Sequence, residues 1–156
     1  MFRIERIEPP YPSVDVTVQP EQTQFTSPVS TAIEKMQFSE IAFVIRDSGT
    51  DVGFFTLIPS DSDVIYQLRS DNRVTLQSFM IDARQQGKGY AKKSLVQLPK
   101  LAKQFFPHID SIGLSVNCRN KLAYQLYEKN GFRDIGELYH GGSSGPQHIM
   151  ILALES

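Results

Sequence analysis

The stretch "RQQGKGYAKKSL", Arg84 to Leu95, sets two glycines around a lysine just ahead of a helix-like pattern. Backbone N–H groups freed at a helix start point outward, and the helix dipole adds partial positive charge there. Glycine lets an anion come close to the main chain, and Lys88 and Lys92 add charge beside it. The chemistry this suits is the holding of a phosphate or pyrophosphate. On composition alone a plainer reading stands beside it, in which Gly87 and Gly89 only supply a turn.

Three phosphate-holding designs can be set against these residues. A Walker loop needs G-x-x-x-x-G-K-[ST], and the chain has no match. A dinucleotide fingerprint needs G-x-G-x-x-G close behind a strand, with an acid near the end of the next strand. Here Lys92 stands at the third glycine position, five residues separate Ile81 from Gly87, and the next strand ends at Asn117. The third design is Q/R-x-x-G-x-G/A, and "QGKGYA", Gln86 to Ala91, satisfies it.

These residues need elements to position them. "VDVTV", Val14 to Val18, alternates at period two and reads as a strand, while the first dozen residues, with Pro9, Pro10 and Pro12, read as irregular. "SPVSTAIEKMQF" is helix-like, with Thr31 and Glu34 spaced as a capping box. Two strands follow, Ile41 to Arg46 and Val52 to Ile58, around a Ser48-Gly49 turn. A polar loop carrying Asp61, Asp63, Asp71 and Asn72 leads to the strand "RVTLQSFMI". From Tyr90 onward Ala91, Leu95, Leu98, Ala102 and Phe105 draw one apolar stripe, and Pro99 inside it predicts a kink or a break into two helices.

"SIGLSV", Ser111 to Val116, is the next strand. "NKLAYQLYEKNGF" reads as a helix with Asn120 as N-cap, Gly131 in the left-handed position after its end, and Phe132 making the contact beyond. "GELYH" and "HIMILAL" close the chain as two strands. The order β, α, three β, α, β, α, two β predicts an α+β layout, a mixed sheet with one β-α-β unit at its centre.

Composition sets the outer limits. The 156 residues suit a single domain over 1–156, 40% hydrophobic and 21% charged. With 16 Lys+Arg against 17 Asp+Glu, a formal net of −1, nucleic acid is not the expected partner. The lone Cys118 forms no internal disulfide, and the N-terminus shows no apolar core of signal-peptide length. No apolar run approaches the ~18 residues of a membrane span. The expectation is a soluble, cytoplasmic protein with no membrane partner and no metal.

The context of "QGKGYA", after a strand ending "FMID" and at the opening of a helix, resembles the pyrophosphate loop of the GNAT acyl-CoA N-acyltransferases. A second motif agrees: "NKLAYQLYEKNGF" is similar to the family's N-x-x-A-x-x-L-Y-x-x-x-G-F helix at Asn120, Ala123, Leu126, Tyr127, Gly131 and Phe132. The resemblance covers residue 40 to the C-terminus well and the first 40 residues loosely. It implies the GNAT acyltransferase fold, a mixed, mostly antiparallel sheet whose strands four and five splay apart, flanked by helices. Carried onto this chain, strand four is Val74 to Ile81 and strand five Ser111 to Val116.

The resemblance further implies acetyl-CoA as co-substrate. Its pyrophosphate would rest on the amides of the Gln86, Gly87, Lys88, Gly89, Tyr90 and Ala91 segment. Its pantetheine would pair with backbone near Ile81 as an added strand pairs with a sheet edge. An amide at Met80 or Ile81 would point at the thioester carbonyl, and Asn120 would contact the arm while capping its helix. Tyr127 would protonate the departing thiolate after an amine attacks the thioester directly; packing on a buried helix face is the alternative for this residue. Strand four, "VTLQSFMI", contains no acid to serve as base. Asp82, Glu137, His140 and a water chain all stay open, with water the default.

"QPEQTQF", Gln19 to Phe25, looks like a P-x-Q-x-x-F element of one bacterial branch, and "FMIDARQQGKGYAKKSL" is similar to bacterial spermidine and related small-amine acetyltransferases. The implied acceptor is a small primary amine, with a polyamine among the candidates. Asp61, Asp63 and Asp71 either attract a polycation or form an ordinary solvated loop. Acetylation of a protein or peptide amine, or a CoA-binding sensor or interaction module without turnover, are the alternatives. Homodimers are common in the family, with the C-terminal strand as a candidate contact.

Overall fold

The computed structural model describes residues 1–155. Seven strands and three helices carry the chain: β1 (Phe2–Ile7), α1 (Val29–Glu34), β2 (Ile41–Asp47), β3 (Thr50–Pro59), β4 (Arg73–Ile81), α2 (Tyr90–Phe105), β5 (Ser111–Asn117), α3 (Lys121–Lys129), β6 (Arg133–Tyr139) and β7 (Gln147–Ala153). The strand order is β1-β2-β3-β4-β5-β7-β6. This is the α+β layout the order of elements predicts. The residues divide into two compact units, Met1–Ile58 with Gln77–Ser94, and Pro59–Leu76 with Leu95 onward.

In the first unit β1 pairs antiparallel with β2, and β2 with β3. The β2–β3 turn is tight because Ser48 and Gly49 both take positive φ, 52° and 83°, as a two-residue hairpin turn whose twist matches its strands requires. Ile7, Val16, Val29, Ala42, Val44, Phe54 and Met80 form one buried cluster, with Tyr11, Val14, Val18, Ala32, Ile33 and Met36 packed against it.

The N-terminal expectations are corrected here. Phe2–Ile7 is a strand, not irregular chain, because Arg46, opposite Arg3, reaches across to Glu5 at 3.1 Å and to Asp51 at 2.8 Å. Val14 to Val18 is not a strand. Its backbone is bound instead by carboxylates, Asp15 N–H to Asp51 at 3.1 Å and Thr17 N–H to Asp82 at 2.9 Å. Helix α1 begins after Pro28, so Thr31 lies inside it and the Thr31–Glu34 capping box does not form. Pro28 fixes the start one residue before Val29, whose side chain is drawn into the core.

In the second unit β4 runs parallel to β5 over Arg73↔Ser111, Val74↔Ile112 and Thr75↔Gly113. Strand β5 then pairs antiparallel with β7 along its whole length, and β7 with β6. Helix α2 runs unbroken through Pro99 for 16 residues. Proline removes one hydrogen bond from a helix, and the burial of Leu95, Leu98 and Ala102 on one stripe offsets it. No helix among the described residues is long and apolar enough to cross a membrane.

A Cβ on Gly113 would stand 2.6 Å from Leu68 Cδ2 and 3.1 Å from Arg73 Cδ. Gly113→Ala should therefore cost about 1–3 kcal/mol by overpacking, visible as a lower midpoint in urea unfolding. Asp82 is fully buried. The bond from the Arg84 side chain, with Thr17 and Arg84 amides, holds its carboxyl below the usual range although burial opposes this. A depressed carboxyl adds stability above its unfolded pKa, ~3.9, and loses it as pH falls through the folded value. The stability gap between wild type and Asp82→Asn should be widest near neutral pH and shrink below about pH 4; a gap unchanged by acid contradicts the assignment.

Candidate functional site

The first unit carries the glycine loop. Strand β4 ends at Ile81, and Asp82 caps a 3-10 turn over Ala83–Gln85 by accepting from Arg84 N–H. Asp82 also takes the Arg84 guanidinium at 2.9 and 3.1 Å. The Gln86 side-chain amide reaches back to the Ile81 carbonyl at 3.0 Å, which closes the turn against the strand end. Gly87 and Gly89 then take φ of 77° and 81°, a region that side chains with a Cβ disfavour. Gly89 accepts the bond from Lys93 N–H at 3.0 Å and so begins α2. The first amides of a helix have no acceptor within it.

Space around these glycines is open. A Cβ added to either would meet nothing within 4 Å. The glycines are thus required by backbone conformation and not by a close neighbour. Lys88 Nζ is bound to Gln85 Oε1 at 2.9 Å. Tyr90 is engaged elsewhere: its hydroxyl donates to Asp47 at 2.7 Å, which raises its pKa, and its ring stacks on Phe2 at 6.0 Å. Gln86 and Tyr90 therefore spend their side chains on the protein and have only main chain to offer a ligand. Ala91 lies in the first turn of α2, not in the left-handed loop.

A second frame of the same pattern was missed in the sequence. "RQQGKG", Arg84 to Gly89, also reads Q/R-x-x-G-x-G, and it puts both left-handed glycines on the two glycine positions. The signal available was the pair Asp82–Arg84, an acid and a base spaced to cap one turn.

Met80 and Ile81 are buried, at 4% and 9% exposure. Met80 packs into the first unit's core, so its side chain is committed there. Its carbonyl lies against β3, where a Cβ on Gly53 would come within 2.8 Å of it. Ser78, two residues earlier, takes φ 55°. A positive φ in mid-strand is how a bulge residue behaves, re-aiming the backbone beyond it. The sequence carried no mark of this.

The second unit carries α3, and with it Asn120 and Tyr127. Asn120 caps the helix by accepting from Ala123 N–H. At the other end Phe132 N–H bonds the Tyr127 carbonyl at 3.1 Å and Gly131 N–H bonds that of Glu128 at 3.2 Å. Gly131 sits at φ 97°. This is the Schellman closure, whose usual apolar contact joins the same two residues. Here it is Phe132 edge-on to the Tyr127 ring at 5.7 Å. Tyr127 is 8% exposed, and burial pushes its pKa up. Asn120 and Tyr127 are seven residues apart, hence on one face of the helix.

The candidate bases scatter. Asp82 is committed to Thr17 and Arg84, while Glu137 and His140 are exposed on or just after β6. Asp63 is half-buried and accepts from Thr75 Oγ1 at 2.8 Å and Ile65 N–H at 2.9 Å, whereas Asp61 and Asp71 are exposed. A titratable cluster that the sequence did not reveal lies beside α3. The Tyr124 hydroxyl donates to Asp134 Oδ2 at 3.0 Å, and His148 Nδ1 stands 3.1 Å from the same oxygen. Burial works against the Asp134 charge, but the Gly136 amide, Tyr124 and His148 together hold its carboxyl below the usual range. Among the described residues no group of three or more His, Cys, Asp or Glu stands where it could hold a metal.

Comparisons with known proteins bear on the family and the fold. The model of the acetyltransferase (GNAT) family matches residues 3–132. An uncharacterized N-acetyltransferase, YbbJ, of Bacillus subtilis (strain 168) is 39% identical over 93 residues, 60% of this chain; the match spans 58% of that relative's length. Among solved structures, the ribosomal-protein-S18-alanine N-acetyltransferase from Escherichia coli superposes with a TM-score of 0.68 at 19% identity, covering 100% of this chain and 96% of that one. A GNAT family acetyltransferase from Elizabethkingia anophelis with acetyl-CoA bound gives 0.66 at 14% identity, covering 98% of both. These likenesses show a shared fold. Since the family model spans most of the sequence, from β1 through the turn that ends α3, the chain belongs to the GNAT acetyltransferase family.

Proposed function

We propose that this protein is an acetyl-CoA-dependent N-acetyltransferase acting on a primary amine of a small molecule. The observation that carries the reading is the Gly87–Gly89 loop, two left-handed glycines opening a helix behind β4, with open space at both. Amides from Gly87 to Ala91 hold the pyrophosphate, with the Lys92 charge in the same turn. The backbone of Met80 and Ile81 receives the pantetheine arm and the thioester carbonyl, since their side chains are already buried in the protein. Asn120 contacts the arm from the start of α3.

Acetyl-CoA supplies an activated acyl group; the chain supplies position and a proton. The amine nitrogen bonds to the acetyl carbon, the carbon–sulfur bond breaks, and the sulfur takes the proton of the Tyr127 hydroxyl. A tyrosine hydroxyl, with an ordinary pKa of ~10, is protonated at neutral pH and can donate; burial raises the Tyr127 value, so its proton is given up only as the thiolate charge develops beside it. The amine's own proton leaves through water, as β4 carries no acid, and a proton from that water restores the Tyr127 hydroxyl for the next turnover. With Asp63 bonded to Thr75, Asp61 and Asp71 are the carboxylates of that loop left to face a cationic acceptor, a polyamine among them.

Thiol release from acetyl-CoA across a panel of polyamines, other small amines and short peptides tests this reading. Amine-dependent release is expected. Tyr127→Phe should lower kcat by about a hundredfold, at the low end for loss of a positioned acid, with little change in KM for acetyl-CoA. Full kcat in that variant contradicts the assignment of Tyr127, and preference for peptides contradicts the small-amine acceptor.

A further inference from the structure

Helix α3 is held at two levels, and its two tyrosines are the ties. Tyr127 meets Phe132, the first residue beyond the closing turn, and Tyr124 meets Asp134 two residues further on. Residues 124 and 127 lie three apart on one helix face, about 4.5 Å along its axis. Phe132 is the residue before β6 and Asp134 the second residue within it. The two contacts brace α3 at two points along its length.

The second level has its own support. Asp134 pairs with Met150 across the β6–β7 ladder and Leu138 with His148, so the register shifts between them. Gly136, inside that irregularity, has φ 84°, and its N–H bonds Asp134 Oδ1 at 2.8 Å. The other oxygen, Oδ2, faces His148, a diagonal neighbour on β7. The imidazole in turn lies against the Tyr124 ring, 4.6 Å between centroids. One carboxylate thus joins α3, β6 and β7 through three side chains, two of them, Asp134 and His148, about a quarter exposed.

We infer that Tyr124, Asp134 and His148 are positioning residues for Tyr127, setting the rotation of α3 and with it the place of the Tyr127 hydroxyl. This rests on the acid role proposed for Tyr127. The three make no contact with substrate; they act through the helix. Because a misplacement of about 1 Å can cost on the order of a hundredfold in rate, losing the tie lowers turnover more than it lowers binding.

A double-mutant cycle tests the inference. Tyr124→Phe and His148→Ala should each lower kcat by about tenfold while KM for acetyl-CoA stays within about twofold. His148→Gln, whose amide can still donate to Asp134, should recover most of the loss. In a Tyr127→Phe background the same changes should cost nothing further, since the group they place is gone. Equal losses in both backgrounds, or a lowered melting temperature with kcat intact, overturn it. A readout independent of turnover uses 3-fluorotyrosine-labelled protein. The 19F resonance of Tyr127, assigned with Tyr127→Phe, should move in Asp134→Asn and not in Tyr66→Phe; an unmoved resonance in Asp134→Asn overturns the inference even if the wild type acetylates no amine. A wild type that binds acetyl-CoA without turnover contradicts the proposed function alone.

Discussion

A carboxylate taken out of water must find donors or lose its charge, and Asp82 finds them at the point where β4 becomes the glycine loop. Its two oxygens take the Thr17 amide, the Arg84 amide and two guanidinium N–H groups. Its own N–H bonds the Val52 carbonyl on β3, and Ala83 N–H bonds the Thr17 carbonyl at 2.6 Å. One buried charge therefore fixes the strand end, the N-terminal segment and the first turn of the loop together. Everything that follows in the chain up to α2 inherits its direction from there. Arg84, its partner, also reaches Asp15 at 3.0 Å, so a segment with no ladder hydrogen bonds of its own is still held.

The second unit achieves definition by a different means. Helix α3 has nine residues, too short to be stable by itself in water. Its ends are closed by Asn120 and by the Gly131–Phe132 turn, and its middle is tied by Tyr124 to Asp134. Each closure uses a residue type that physical chemistry favours there: a short amide side chain as N-cap, and a glycine where φ must be positive. The Tyr127 hydroxyl is thereby attached to a helix held at both ends and in its middle, as the acid role proposed for it requires.

The parts of this structure legible in the sequence are those with local causes. The period-two runs from Ile41 to Ile58, the stripe on α2 and both caps of α3 appear where periodicity and capping residues put them. The failures share the opposite property. β1 was hidden because Arg6 breaks the alternation begun by Phe2 and Ile4, and its support comes from Arg46, more than 40 residues away from Glu5. Val14 to Val18 alternates like a strand, yet in place of a ladder it has the carboxylates of Asp51 and Asp82 and a single main-chain bond from Ala83 to Thr17 among its partners. The Asp134–His148 cluster needs three elements and a register shift to assemble, and the Ser78 conformation depends on its neighbours in the sheet; neither has a signature within a few residues. In the loop, Gly87 and Gly89 were visible, while the frame beginning at Arg84 becomes compelling only once their φ angles are known.

The central claim is that this loop holds the pyrophosphate of acetyl-CoA, and thermal unfolding with that ligand tests it most directly. At ~100 times its dissociation constant a ligand adds roughly 2.7 kcal/mol, on the order of 5 to 10 °C for a domain of this size. The account predicts such a shift with acetyl-CoA and none with NAD or ATP at the same concentration. A well-folded sample that melts at the same temperature with and without acetyl-CoA would contradict it, leaving Gly87 and Gly89 as no more than the turn into a helix.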